Sequence, residues 1–189
     1  MPEQAPEQDD LVSVLIADHR AVEGAFEEYE RGGLSHGQSR DLVDHIITEL
    51  VRHSAAEEQY LYPAAREVLP DGAEIADHEM QEHSEAEQVM KQIERLDTEK
   101  PDFDHAVRQL IQDIRHHVSD EENDLFPRML TACSANQLQD LGNKILMAKK
   151  SAPTRPHPMA PDTPPANLVL DPGAGMVDRL RDALSGRQH

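Results

Sequence analysis

Two stretches, HSAAEEQYLYP at residues 53–63 and HVSDEENDLFP at residues 117–127, share one pattern: H-x3-E-E-x3-[YF]-P, with Leu before the aromatic. They lie 64 residues apart, and His19 and His83 repeat that offset. Within each half the histidine spacing is again equal, 34 residues from His19 to His53 and from His83 to His117. A repeat of this size predicts one helical hairpin used twice. A duplicated hairpin builds a four-helix bundle with an approximate two-fold axis, and the four histidines would meet near its centre.

Facing supports that convergence. Positions three and seven before a helical residue lie on its face. Behind His19 these are Ile16 and Val12, behind His53 Leu50 and Ile46, behind His83 Met80 and Ala76, behind His117 Ile114 and Leu110. All are apolar. His45, His78, His105 and His116 each have a polar residue in that test (Gln38, Asp71, Asp102, Asp113) and are expected outside.

Outward from the repeat, residues 10–150 read as all-helical, rich in helix formers and without alternating β-branched runs. The first segment runs from about Asp10 to Arg31 and stops at Gly32-Gly33. The second runs from about Ser39 to Tyr62 and meets Pro63. The third covers about Glu74 to Leu96, and the fourth runs from about Phe103 to Leu125 before Pro127. The fifth, about Ala135 to Lys149, would be capped by Ser134. The expected architecture is an up-down-up-down bundle with an extra C-terminal helix. Residues 1–9 read as a disordered acidic N-terminus and 151–173 as a Pro-rich linker. Met176, Val177, Leu180 and Leu184 suggest a short amphipathic helix within 174–189.

The net charge of −19 over 189 residues argues against nucleic acid and against an anionic membrane surface. The single Cys133 excludes an internal disulfide and suits a reducing compartment. The N-terminus has no apolar core of a signal peptide, so a cytoplasmic protein is expected.

H-x3-E alone is a cheap signal in so acidic a chain, and a single instance usually marks a surface pair. Four inward histidines in register with at least two carboxylates differ, because burying them is costly unless something satisfies them all. A metal does so at once; a purely structural polar core is the other reading. Imidazole and carboxylate suit iron or manganese, and zinc less well without a thiolate. Glu57 and Glu121, one turn after His53 and His117, could each bridge two ions. None of the 11 histidines has Glu three residues before it, which disfavours a ferritin-like site.

With Asp18-His19 after Val-Leu-Ile-Ala, the two quoted segments, and Glu82-His83, the chain resembles hemerythrin-like proteins carrying an HHE cation-binding domain. The resemblance covers about residues 10–150. It implies a four-helix bundle around two iron ions joined by an oxo or hydroxo bridge. It implies His19, His53, Glu57, His83, His117 and Glu121 as ligands, both Glu bridging. Oxygen-carrying hemerythrins use five terminal imidazoles, whereas this pattern supplies four. Tyr60 could fill the remaining position, as could His78, although its facing argues otherwise. Tyr60, three residues after Glu57, shares its helical face and reads either as a residue near one iron or as a core tyrosine with its hydroxyl paired, whereas Tyr62 is expected to face away and pack beside Pro63.

Asp18, Glu58, Glu82 and Glu122 flank these residues and either bond neighbouring groups or face water. Glu23 and Glu87 are candidates by the repeat but not by the resemblance. The expected function is reaction with small oxidants, with catalase-like breakdown of hydrogen peroxide preferred, and dioxygen or nitric oxide as other partners. An oxygen- or redox-sensing module is the alternative, iron storage is weakly supported, and monomer and homodimer both remain open.

Overall fold

Each helix begins at a local signal. In this computed structural model, which describes residues 10–152 and 154, Asp10 accepts from Ser13 N at 2.8 Å and starts α1, Leu11–Arg31. Ser35 and Gln38 form a reciprocal capping box before α2, His36–Ala56, and Ser134 and Gln137 do the same before α7, Ala135–Ser151. Gly32 and Gly33 end α1 with φ of 72° and 82°, a conformation that L side chains rarely adopt. α4 spans Gly72–Arg95, and Pro101 opens α5, Pro101–Asp120.

The second and fourth segments do not stop at their prolines. Glu57–Leu61 is a π-helical turn leading into α3, Tyr62–Val68; Glu121–Leu125 is another leading into α6, Phe126–Ala132. Proline has no N–H to donate and its ring crowds the preceding turn. The wider i→i+5 turn just before each proline absorbs that misfit, so the rod continues.

Five helical rods result, all-α among the described residues. The α1/α2 and α4/α5 pairs form the four-helix bundle; α7 packs on α1 and α2. Gly72 sits so close to α3 that an added Cβ would stand 1.9 Å from the Ala65 carbonyl oxygen. Two apolar clusters fill the bundle. One holds Leu11, Leu15, Leu61, Met129 and Ile145, the other Phe26, Ile46, Met90, Phe103 and Ile111. Met80 and Met90 are core filler, 1% and 3% exposed. The two clusters account for the fold; the polar groups between them account for the site.

Among the described residues no helix is long and apolar enough to cross a membrane. The expected N-terminus 1–9 and the 174–184 helix, and nearly all of the Pro-rich linker, lie outside the described residues.

Candidate metal centre

Each inner helix carries one histidine on its apolar stripe, and all four are buried. His19 Nε2 and His53 Nε2 lie 3.2 Å apart; His83 Nε2 and His117 Nε2 lie 3.1 Å apart. The π-turns deliver Glu57 and Glu121 between these pairs, both wholly buried. Glu57 Oε1 is 3.0 Å from His53 Nε2, and its Oε2 is 3.4 Å from His83 Nε2. Glu121 Oε2 lies 3.4 Å from His19 Nε2 and 3.7 Å from His117 Nε2. Each carboxylate thus reaches from one histidine pair to the other.

The outer edge of every imidazole meets a carboxylate. Asp18 is 3.3 Å from His53 Nδ1, Glu82 3.0 Å from His117 Nδ1, Glu58 3.1 Å from His83 Nδ1, and Glu122 2.8 Å from His19 Nδ1. The arrangement obeys the 64-residue repeat throughout, since Asp18 maps to Glu82 and Glu58 to Glu122. A carboxylate accepting from Nδ1–H fixes the ring and turns the Nε2 lone pair inward. Two inward lone pairs about 3 Å apart repel unless a proton or a cation lies between them.

The carboxylates tell the same story. Both oxygens of Glu57 and Oε2 of Glu121 are buried, and beyond the facing imidazoles no group donates to them. Such groups are costly in an apolar core. Burial alone would push the Glu57 carboxyl up, but His53 and His83 hold it well below the usual carboxylate range. Burial opposes charge on His53, yet Glu57 and Asp18 push that imidazole up to about 10. His117 is raised as well, Glu121 and Glu79 overriding its burial. A cation between the pairs would meet the same needs as those protons. The donors form two groups that could hold an ion: His19, His53, Glu57 and Glu121, and Glu57, His83 and His117.

The six residues expected as ligands therefore converge. His78, 60% exposed at its side chain, does not join them; it faces Glu82 from outside. His45, His105 and His116 are exposed as expected. Glu23 binds Arg115 and Glu87 lies 3.4 Å from Lys91, both away from the centre.

Tyr60 takes its core position, and the expectation for Tyr62 is reversed. Tyr60 is half-buried against the first apolar cluster, while Tyr62 is wholly buried beside the centre. Tyr62 Oη donates to Glu121 Oε1 at 3.0 Å and lies 3.1 Å from His83 Nε2. The cause is the π-turn, in which Tyr62 N–H bonds to Glu57 O, placing Tyr62 rather than Tyr60 one full turn below Glu57. Burial, with Glu121, Glu57 and Glu79, pushes its phenol well above the ordinary range.

Glu79 was not singled out in the sequence. It is 3% exposed, its Oε2 stands 2.9 Å from His117 Nδ1, and burial raises its carboxyl above the usual range against the pull of His117. Its repeat counterpart is Leu15. The available signal was a charged residue on the stripe running through Met80 and His83, four before His83.

The family model described as Hemerythrin HHE cation binding domain matches residues 10–129. The chain belongs to this family. An uncharacterised hemerythrin-like protein of Schizosaccharomyces pombe is 25% identical over 175 residues, covering 92% of this chain and 86% of that protein. A Nostoc protein described as a DNA nickase is 28% identical over 147 residues; the match covers 77% of this chain and 40% of that protein. The crystal structure of a hemerythrin HHE cation binding domain-containing protein from Mycobacterium kansasii has the same fold. Its TM-score is 0.63 at 18% identity, with 75% of this chain and 85% of that one covered. This hemerythrin-like chain thus has the family's helical fold, and buried histidine and glutamate clusters that could hold metal.

Proposed function

We propose that this hemerythrin-like protein holds two iron ions and breaks down hydrogen peroxide. His19 and His53 would hold one ion and His83 and His117 the other, with Glu57 and Glu121 spanning both. The observation that carries this reading is Glu57, whose two buried oxygens face imidazoles of opposite pairs and have no other partner. An imidazole–carboxylate set suits iron. When bound, two iron ions supply a reversible two-electron change, which matches both the reduction of peroxide to water and its oxidation to dioxygen.

The side chains orient and shield. Asp18, Glu58, Glu82 and Glu122 fix the four imidazole tautomers. Tyr62 holds a proton at Oη against Glu121. A cavity between α1 and α5 leads from the surface to His19 and His53. Dioxygen and nitric oxide, being small and uncharged, could follow the same path.

Metal analysis and an optical spectrum of the purified protein, before and after peroxide, test this. About two irons per chain, with dioxygen evolved over many turnovers, is the expected result. Iron that oxidises once and stops would replace the enzyme by a redox-sensing module. Zinc alone, or no metal, would end the redox reading.

A further inference from the structure

The cavity that reaches the centre is much larger than peroxide. It holds about 540 Å3 and ends on His19, His53 and His117. Water occupies roughly 30 Å3 in the liquid, and peroxide is not much larger. Cavities of about 300–1,000 Å3 are the size that takes organic ligands. The walls are apolar, formed by Val22, Phe26, Leu50, Ile114 and Val118.

The rim selects against anions. Arg115 donates to both Glu23 and Glu30, at 2.6–3.1 Å, and Arg20 donates twice to Glu122, at 2.8 and 2.7 Å. Both guanidinium forks are thus committed to carboxylates, and those three carboxylates outnumber the two arginines. The net charge of −19 adds long-range repulsion. Nicotinamide nucleotides, ascorbate and thiol peptides all carry negative charge and are disfavoured. A neutral ring is not, and Ser54 and Ser119 at the cavity lining offer hydroxyl partners.

The repeat makes the seam a separate specification. At the 64-residue offset, Arg20, Val22, Phe26 and Arg115 correspond to Ser84, Ala86, Met90 and Val51. The duplicated histidines and carboxylates match across the two halves; these cavity residues do not.

We propose that this cavity is a second-substrate site for a neutral aromatic reductant of the hydroquinone class. The proposal deepens the peroxide reading and rests on it for the redox step. In that step the peroxide O–O bond breaks and takes up two electrons and two protons, giving two waters. The hydroquinone loses both hydroxyl protons and two electrons, giving a quinone. Atoms and electrons balance at one quinone per peroxide, and this reduction competes with dioxygen release.

Two arms test it on the full chain. In the first, 4-ethylphenol is titrated into metal-free protein by calorimetry. Saturable binding with Kd below about 1 mM is expected, weakened more than about tenfold by Val118→Phe, which fills the cavity. Asn123→Trp, at an exposed rim position, narrows the mouth without touching the core and should weaken it too. No saturable binding, or binding that neither substitution weakens, overturns the site. In the second arm, iron-loaded protein receives peroxide and hydroquinone. Quinone should form at the expense of dioxygen, and both variants should lower the quinone-to-dioxygen ratio. Dioxygen evolution that hydroquinone leaves unchanged overturns the reductant role. Failure of the peroxide reading shows up differently, as absence of any peroxide turnover while the calorimetric arm still decides the site.

Discussion

Tyr62 and Phe126 occupy the same place in the two halves of the bundle, and only Tyr62 carries a hydroxyl. Phe126 stacks on His19 at 5.7 Å with a 12° interplanar angle, while Tyr62 tilts over His83 at 5.4 Å and donates to Glu121. Tyr62→Phe would make the halves alike and leave Glu121 Oε1 without its donor. An unsatisfied buried acceptor costs about 1–3 kcal/mol. The expected result is a lower Tm in the metal-free protein, with altered iron absorption bands and slower peroxide turnover. Tyr60→Phe should leave the bands unchanged, and the same spectra taken on both variants decide between the two tyrosines.

Glu57→Ala removes the carboxylate that spans the two pairs. The stoichiometry by metal analysis should fall to about one ion per chain or below, with affinity reduced by at least the 10–100-fold seen for outer partners. Glu23→Ala, at the equivalent spacing after His19 but bound to Arg115, should keep full loading. Equal loading of both variants would contradict the spanning role.

The charge on His53 sets a pH dependence. Its folded pKa is raised, to about 10, above the unfolded value near 6.5. A raised group contributes stability that is full below the unfolded value and is lost as pH climbs through the folded one. The metal-free protein should therefore lose Tm between about pH 7 and 10. Metal must displace those protons, so affinity should rise over the same interval. Calorimetry in buffers of different ionisation heat should record proton release on loading; no release would show the imidazoles to be already neutral.

The outer carboxylates are not equally compensated. Glu122 is bound by Arg20 and Asp18 by Lys149 of α7, both behind the His19/His53 pair. Glu58 and Glu82, behind His83 and His117, have no lysine or arginine partner among the described residues. Lys149→Met frees negative charge behind His53 and should tighten metal there several-fold. Glu58→Gln should weaken the other position by a comparable or larger factor. Stepwise cobalt titration, followed optically, resolves the two steps; identical shifts from both substitutions would contradict the asymmetry.

Gly72→Ala tests the packing that holds the lower end of the bundle. The new Cβ would meet Ala65 backbone, which cannot swing away as a side chain could. A loss of about 1–3 kcal/mol is expected, measured by urea unfolding at constant metal content.

The bundle and the convergence of six donors were legible because the signal was duplicated. One inward histidine means little, but four with a shared offset constrain each other. Tyr62 was misread because a 3.6-residue period was carried through Glu57–Leu61, where the period is longer. The clue lay in Pro63 and Pro127: the apolar pattern resumes after each, at Ala65 and Leu69, and at Met129 and Cys133. A helix that continues through proline needs extra room before it. Glu79 escaped because it has no repeat partner. The roles of Arg20 and Lys149 depend on contacts between α1 and the second π-turn and between α7 and α1, distances that no local spacing encodes.

The repeat has one more consequence. Each half brings two imidazoles, one spanning carboxylate and two outer ones, and these outer carboxylates serve both halves. Asp18 serves its own hairpin, while Glu58 and Glu122 reach across to the other. A hairpin of half this length is therefore self-complementary and could assemble the whole centre as a homodimer. In such a dimer every change is made twice, and the two histidine pairs stay equal. Joining the copies in one chain removes that constraint, so a hydroxyl, an arginine or a lysine can be placed on one side alone.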